Sequence, residues 1–157
     1  MDKIRRIFPL LILFTLLSCA DTIETRIPYR AVYLELDLTY QDKALNAIQA
    51  YKIYTSKDVD QAGEQTGFGG VLVYHGLSSN GTGAFFAFDA ACPHEASANV
   101  IVDVDESAVY AICPKCGSKF KLLNGIGNPV EGPCAEEKQA LKQYVVDTNG
   151  NKIYIHN

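Results

Sequence analysis

Two short turns constrain this chain more than any other feature: Cys92-Pro93-His94 and Cys113-Pro114-Lys115-Cys116-Gly117-Ser118. Of the five cysteines in 157 residues, four lie at or after position 92. Three of those four, with one of only three histidines, fall in these turns. Thiolate and imidazole are ligands for zinc and for iron–sulfur clusters. A Cys-Pro-x-Cys-Gly turn aims both sulfurs at one point, because the amides after the first cysteine turn inward and stabilise thiolate charge. The fold must therefore bring two tight loops together. A disulfide is the competing outcome, since Cys113 and Cys116 can close a small ring in an oxidising compartment.

The rest of the chain reads as strands that deliver these loops. Residues 31–40 alternate, with Val32, Leu34, Leu36 and Leu38 on one side and Tyr33, Glu35, Asp37 and Thr39 on the other, a period-2 strand. Residues 41–50 are ambiguous: Ala44, Leu45, Ala47, Ile48 and Tyr51 fit one face of a short helix, and a compact loop fits equally well. Residues 51–55 read as a strand and 56–67 as a charged, glycine-bearing surface loop. Val71 to His75 is a short buried strand, paired through a turn at Asn80-Gly81 with 84–91, which runs into Cys92. A second hairpin, 101–104 with 108–113, runs into the second turn. Residues 120–123 continue as a strand turned by Asn124-Gly125, Gly132-Pro133-Cys134 is a special loop, and 141–147 with 152–155 close the chain as a hairpin. The expectation is a small all-β domain of about ten strands with no long helix.

The N-terminus is different in kind. Lys3, Arg5 and Arg6 precede an apolar run from Ile7 to Leu17, too short for the roughly 20 residues that span a bilayer but suited to a signal peptide. The run stops at Leu16-Leu17-Ser18-Cys19, which resembles a bacterial lipobox. Residues 1–18 are read as a lipoprotein signal peptide, Cys19 as the lipidation site, 19–28 as a lipidated tether, and 29–157 as the single β domain. Cleavage takes the net charge from −4 to −6. The acyl chains then attach a globular body to a membrane, which places it in a bacterial cell envelope, periplasm-facing or on the outer membrane.

The turns carry a specific resemblance. Phe88-Asp89-Ala90-Ala91-Cys92-Pro93-His94, the run Cys113-Pro114-x-x-Gly117-Ser118-x-Phe120 and the downstream Gly132-Pro133 resemble the Rieske [2Fe–2S] family over roughly residues 67–156, and in particular a Bacteroides-type branch of Rieske-like lipoproteins with an added N-terminal strand region. That resemblance implies a small antiparallel β-sandwich with a cluster-binding subdomain at about residues 90–135. It implies a [2Fe–2S] cluster with Cys92 and Cys113 on the inner iron and His94 on the outer one. Cys116 stands where the family has histidine, so the implied set is Cys3His. Ser118 matches the serine that donates a hydrogen bond to a bridging sulfide. Phe120 replaces a tyrosine, and Ser97 and Lys115 replace the two cysteines of the disulfide found in respiratory members. Rieske centres span about −150 to +300 mV and plant-type four-Cys centres lie near −400 mV, so a third thiolate places this one between them.

Taken together, these features describe a lipid-anchored electron carrier that works with a separate redox partner protein. The body of the chain has no concentration of lysine and arginine, which argues against nucleic acid. No catalytic domain is attached. The alternative is a binding or structural module of the envelope whose site holds zinc or a disulfide. Cys134 reads first as a small buried apolar residue, with a spare ligand or a disulfide partner as alternatives. His75 and His156 read as satisfied or surface histidines, and Asp89 and Glu95 as solvating groups beside the first turn.

Overall fold

The computed structural model describes residues 25–157. The expected signal peptide 1–18, the expected lipidation site Cys19 and the expected tether as far as residue 24 lie outside the described residues. Within them the chain is nearly all β: eleven strands and a single one-turn helix. No helix among the described residues is long and apolar enough to cross a membrane.

The alternating segment becomes β1 (Val32–Asp37), with buried and outward residues in the expected order. Residues 41–50 resolve to a loop around one 3-10 turn, Lys43–Asn46, because Leu45 alone is apolar and buried there while Ile48 points outward. β2 (Tyr51–Tyr54) and the two-residue β3 (Gln65–Thr66) follow. β4 (Val71–Leu77) and β5 (Gly83–Asp89) form the expected hairpin, register-matched from Val71↔Asp89 to Leu77↔Gly83. Next come β6 (Asp103–Val104), β7 (Tyr110–Ile112), β8 (Lys119–Lys121) and β9 (Asn128–Glu131), then helix α1 (Pro133–Glu136) and the closing hairpin of β10 (Gln143–Asn149) and β11 (Lys152–His156).

Two antiparallel sheets result. The larger runs β2-β4-β5-β10-β11-β1-β3 and the smaller β6-β7-β8-β9. β10 joins two halves of the large sheet: its start pairs with β5 at Gln143↔Phe88, and its remainder pairs with β11. β4 explains how the layers stack. Val71 and Val73 face one core with Val32, Leu34, Leu36, Ile153 and Ile155, while Leu72 and Tyr74 face a second core with Phe88, Phe120 and Leu122. A strand buried on both faces reads as a continuous apolar run, as VLVY does. The second core also contains Cys92, Cys113 and Cys134, so the small sheet packs on the large one with the cysteines at their junction. Burial at about 25 cal/mol per Å² makes these two cores the main favourable term in holding the loops together.

Residues 27 and 28, read from the sequence as part of a tether, are docked on the domain. Ile27 is buried, and Lys142 Nζ donates to the carbonyl of Pro28 at 3.0 Å.

Candidate metal centre

β5 runs on through Ala90 and Ala91 into Cys92, and its path is fixed by two backbone bonds: Val102 N–H to Ala90 O (2.8 Å) and Cys92 N–H to Val100 O (3.0 Å). The chain then folds over itself, with Ala96 N–H donating to Cys92 O at 2.9 Å and Ala96 held at φ 45°. The second turn repeats this construction. Gly117 N–H donates to Cys113 O at 3.0 Å, and Gly117 sits at φ 71°, where glycine is the unstrained residue. The two turns are thus equivalent knuckles. Superposed by this hydrogen bond, Cys92 matches Cys113, Pro93 matches Pro114, His94 matches Lys115, Glu95 matches Cys116 and Ala96 matches Gly117. An ion pair between Lys115 Nζ and Glu95 Oε2 clasps one knuckle to the other.

The sulfurs meet where the two knuckles face each other. The Sγ atoms of Cys92, Cys113 and Cys116 all lie within 4.8 Å of one another, with Cys92 and Cys116 at 3.6 Å. Cys134, on the first turn of α1, places its Sγ 4.0 Å from that of Cys92 and is fully buried. All four are free thiols.

Backbone donors surround this cluster. The N–H groups of Glu95, Ser118 and His94 face the sulfurs of Cys92, Cys116 and Cys134 respectively. Ser118, fully buried, accepts the N–H of Cys134 on Oγ at 3.0 Å and lies 3.1 Å from Cys116 Sγ. Burial pushes the Cys92 thiol well above its ordinary value and raises the Cys134 thiol as well. Burial acts the same way on Cys116, but the Ser118 hydroxyl and N–H, with the neighbouring thiols, outweigh it and bring Cys116 below the ordinary value. Cys116, the least buried of the four, therefore carries negative charge more readily than Cys92 or Cys134.

His94 stands apart from this arrangement. Its Nδ1 hydrogen-bonds Glu137 Oε2 at 3.1 Å, and Arg26 reaches the same oxygen at 3.2 Å. The Glu137 hydrogen bond raises the His94 pKa. A carboxylate on Nδ1 makes that nitrogen the protonated one and leaves the lone pair on Nε2.

The structure thus brings together Cys92, Cys113, Cys116 and Ser118 of the sequence-level set, and it turns His94 toward α1. Cys134 is more than a small buried residue: its sulfur borders the cluster. The other two histidines are satisfied as expected. His75 Nδ1 bonds the Leu45 carbonyl at 2.8 Å with its ring stacked on Phe85, and His156 pairs with Asp147 at 2.9 Å. Asp89 and Glu95 differ from expectation. Asp89 is fully buried and accepts bonds from the N–H groups of Phe68, Gly69 and Ala91 and from the Tyr144 hydroxyl. Glu95 is the knuckle clasp. The hydrophobic run FAFDAA carried no signal that a carboxylate within it was enclosed.

Solved structures to which the chain is similar include the following two. One is the complex of reduced oxygenase and oxidized ferredoxin in carbazole 1,9a-dioxygenase, at 18% identity and TM-score 0.46 over 81% of this chain and 94% of that one. The other is the ferredoxin of carbazole 1,9a-dioxygenase from Nocardioides aromaticivorans IC177, at 15% identity and TM-score 0.45 over 81% of this chain and 95% of that one. No family model matches the chain, and no curated protein matches it.

Proposed function

We propose that this chain is an electron-transfer protein whose two knuckles hold a Rieske-type [2Fe–2S] cluster, and that lipid on Cys19 anchors it to a bacterial envelope membrane. The observation that carries the reading is the convergence of three thiols from two hairpin exits within 4.8 Å. The donor chemistry fits the group: soft thiolates, a buried hydroxyl and inward-facing amides are what an iron–sulfur centre takes. Cys92, Cys113 and Cys116 would hold it, with His94 as the nitrogen donor supplied by the first motif. When bound, the group supplies one-electron chemistry. Ser118 and the N–H groups of Glu95 and Ser118 stabilise negative charge on the sulfurs, and the Phe120 and Leu122 core keeps water from the inner side. The side chains of His94 and Lys115 are 33% and 64% exposed, which makes their face the open edge toward a redox partner protein.

Anaerobic purification tests the centre. A brown protein with iron and acid-labile sulfide in equal amounts, and an EPR signal on reduction, is the expected result; a colourless protein without sulfide overturns it. The anchor has its own test. Cys19→Ser should move the protein from the membrane fraction to the soluble envelope fraction and abolish labelling by radioactive palmitate.

A further inference from the structure

A fourth sulfur borders the three that converge: Cys134 Sγ lies 4.0 Å from Cys92 Sγ, just outside the group whose sulfurs are all within 4.8 Å of one another. A tetrahedral ion with metal–sulfur bonds near 2.3 Å separates its ligands by about 3.8 Å. The distances from Cys92 Sγ to Cys116 Sγ, 3.6 Å, and to Cys134 Sγ, 4.0 Å, bracket that separation, and a small inward movement of α1 completes the other edges. Three sulfurs come from the knuckles and the fourth from α1, so the donors approach from three different segments, as a closed four-coordinate site needs.

His94 does not compete for the fourth vertex. Its position in the first knuckle is equivalent to Lys115, whose side chain points to solvent, rather than to Cys116. Glu137 and Arg26 hold it from outside. Cys134 has instead the surroundings of a ligand. Its N–H is fixed by Ser118 Oγ, and its sulfur is faced by the N–H of His94. Donors of this kind orient ligands and offset the charge of a thiolate-rich centre.

We propose that, without inorganic sulfide, this pocket closes around one divalent ion of the zinc class on the thiolates of Cys92, Cys113, Cys116 and Cys134, with His94 outside the ligand shell. Binding exchanges four S–H protons for four metal–sulfur bonds, leaving a dianionic centre and releasing four protons to solvent. The inference rests on the reading that the pocket is a soft-metal site, and it adds a ligand and a second metal class to it.

The test uses the full chain, reduced and metal-free, titrated with zinc alone and in parallel with cobalt(II) alone. One ion per chain is expected, with a tetrahedral cobalt spectrum whose sulfur-to-metal charge-transfer intensity corresponds to four thiolates. Cys134→Ser and Cys134→Ala should each lose about a quarter of that intensity and weaken zinc binding by more than the roughly 10–100-fold that loss of an outer-shell partner causes. His94→Ala should keep the cobalt spectrum. Unchanged spectra in both Cys134 variants, or a shifted spectrum in His94→Ala, overturn the inference. If the Cys134 variants fail to fold, the unsubstituted chain decides: a spectrum of three thiolates and one imidazole overturns it. Separate reconstitution with iron and sulfide distinguishes the two readings. A chain that takes zinc on four thiolates yet builds no cluster overturns the proposed function alone. A chain that builds the cluster and binds zinc equally with and without Cys134 overturns the present inference alone.

Discussion

The hydroxyl of Tyr144 donates to Asp89 Oδ2 at 2.6 Å, at a point where both residues are buried and 55 positions apart in the chain. The bond ties the start of β10 to the end of β5, three residues before Cys92. The same carboxylate collects the N–H groups of Phe68 (2.9 Å), Gly69 (3.0 Å) and Ala91 (2.9 Å). One buried charge therefore fixes three segments behind the first knuckle. Burial and the Asp89 hydrogen bond raise the Tyr144 pKa far beyond the ordinary phenol value, so the hydroxyl stays a donor at any working pH.

Removing that donor should be costly. Tyr144→Phe deletes a hydrogen bond to a charged acceptor, a loss of about 1.5–3 kcal/mol. At roughly 4 °C per kcal/mol for a chain of this size, thermal unfolding should fall by about 6–12 °C. Asp89→Ala should cost more, because three backbone N–H groups lose their acceptor at once. Thermal denaturation of the two variants checks the order, and an Asp89→Ala protein as stable as Tyr144→Phe would refute it.

Ser118 tests the other side of the pocket. Its Oγ accepts the N–H of Cys134, so Ser118→Ala leaves a buried donor unpaired at a cost of about 1–3 kcal/mol. It also removes the group that most lowers the Cys116 thiol. The expected outcome is a protein that unfolds earlier and whose fastest-alkylating cysteine reacts more slowly at neutral pH, since less of it is thiolate. Iodoacetamide kinetics on the reduced, metal-free chain measure this. Unchanged rates would mean that the hydroxyl does not set the charge of Cys116.

How much of this was legible in sequence depends on how local each signal is. β1 was readable because four apolar residues at period 2 identify a strand with one buried face. The β4–β5 hairpin was readable because VLVY and the Asn80-Gly81 turn are both short-range signals. β9 was not, because Pro129 and a four-residue length hide a strand that exists only as the outer edge of the small sheet, where a missing N–H costs nothing. The knuckles showed in their spacing, but their equivalence did not: only the matching carbonyl bonds at Cys92 and Cys113 reveal that His94 corresponds to Lys115. The approach of Cys134 to Cys92 spans 42 residues, and the closure of Asp89 by Tyr144 spans 55. No periodicity or turn chemistry encodes contacts of that range.

The loop before β3 gives a prediction for acid pH. Asp58 accepts from the N–H of Thr55 at 2.9 Å and from its hydroxyl at 2.8 Å, and these bonds, the backbone one foremost, hold its carboxyl below the usual carboxylate range. A folded-state pKa below the unfolded one adds stability at pH values above the unfolded pKa, and that stability is lost as pH falls through the folded one. Wild-type stability should therefore decline below about pH 4 more steeply than that of Asp58→Asn, which has no such proton to take up. Denaturant midpoints measured from pH 5 to pH 2 read the difference. Parallel declines in the two proteins would show that the loop contributes nothing.

Gly132 links the backbone to the sulfur cluster, and its substitution makes the most local test of how Cys134 is held. It sits at φ 79°, ψ −172°, a region that is essentially glycine's alone. A Cβ there would lie 2.8 Å from Ser118 Cα and 3.0 Å from Ser118 N, both backbone atoms that cannot swing aside. Gly132→Ala must then either strain the chain by about 1–3 kcal/mol or push α1 off the second knuckle. The second response moves Cys134 away from Cys92 and breaks its N–H bond to Ser118, whereas strain alone leaves both in place. The expected outcome is lower thermal stability together with faster labelling of Cys134, resolved by mass spectrometry of the alkylated peptides. A variant that loses stability while Cys134 stays as protected as in the wild type would show that the pocket absorbs the clash, and that the grip on α1 is stiffer than the backbone at Ser118.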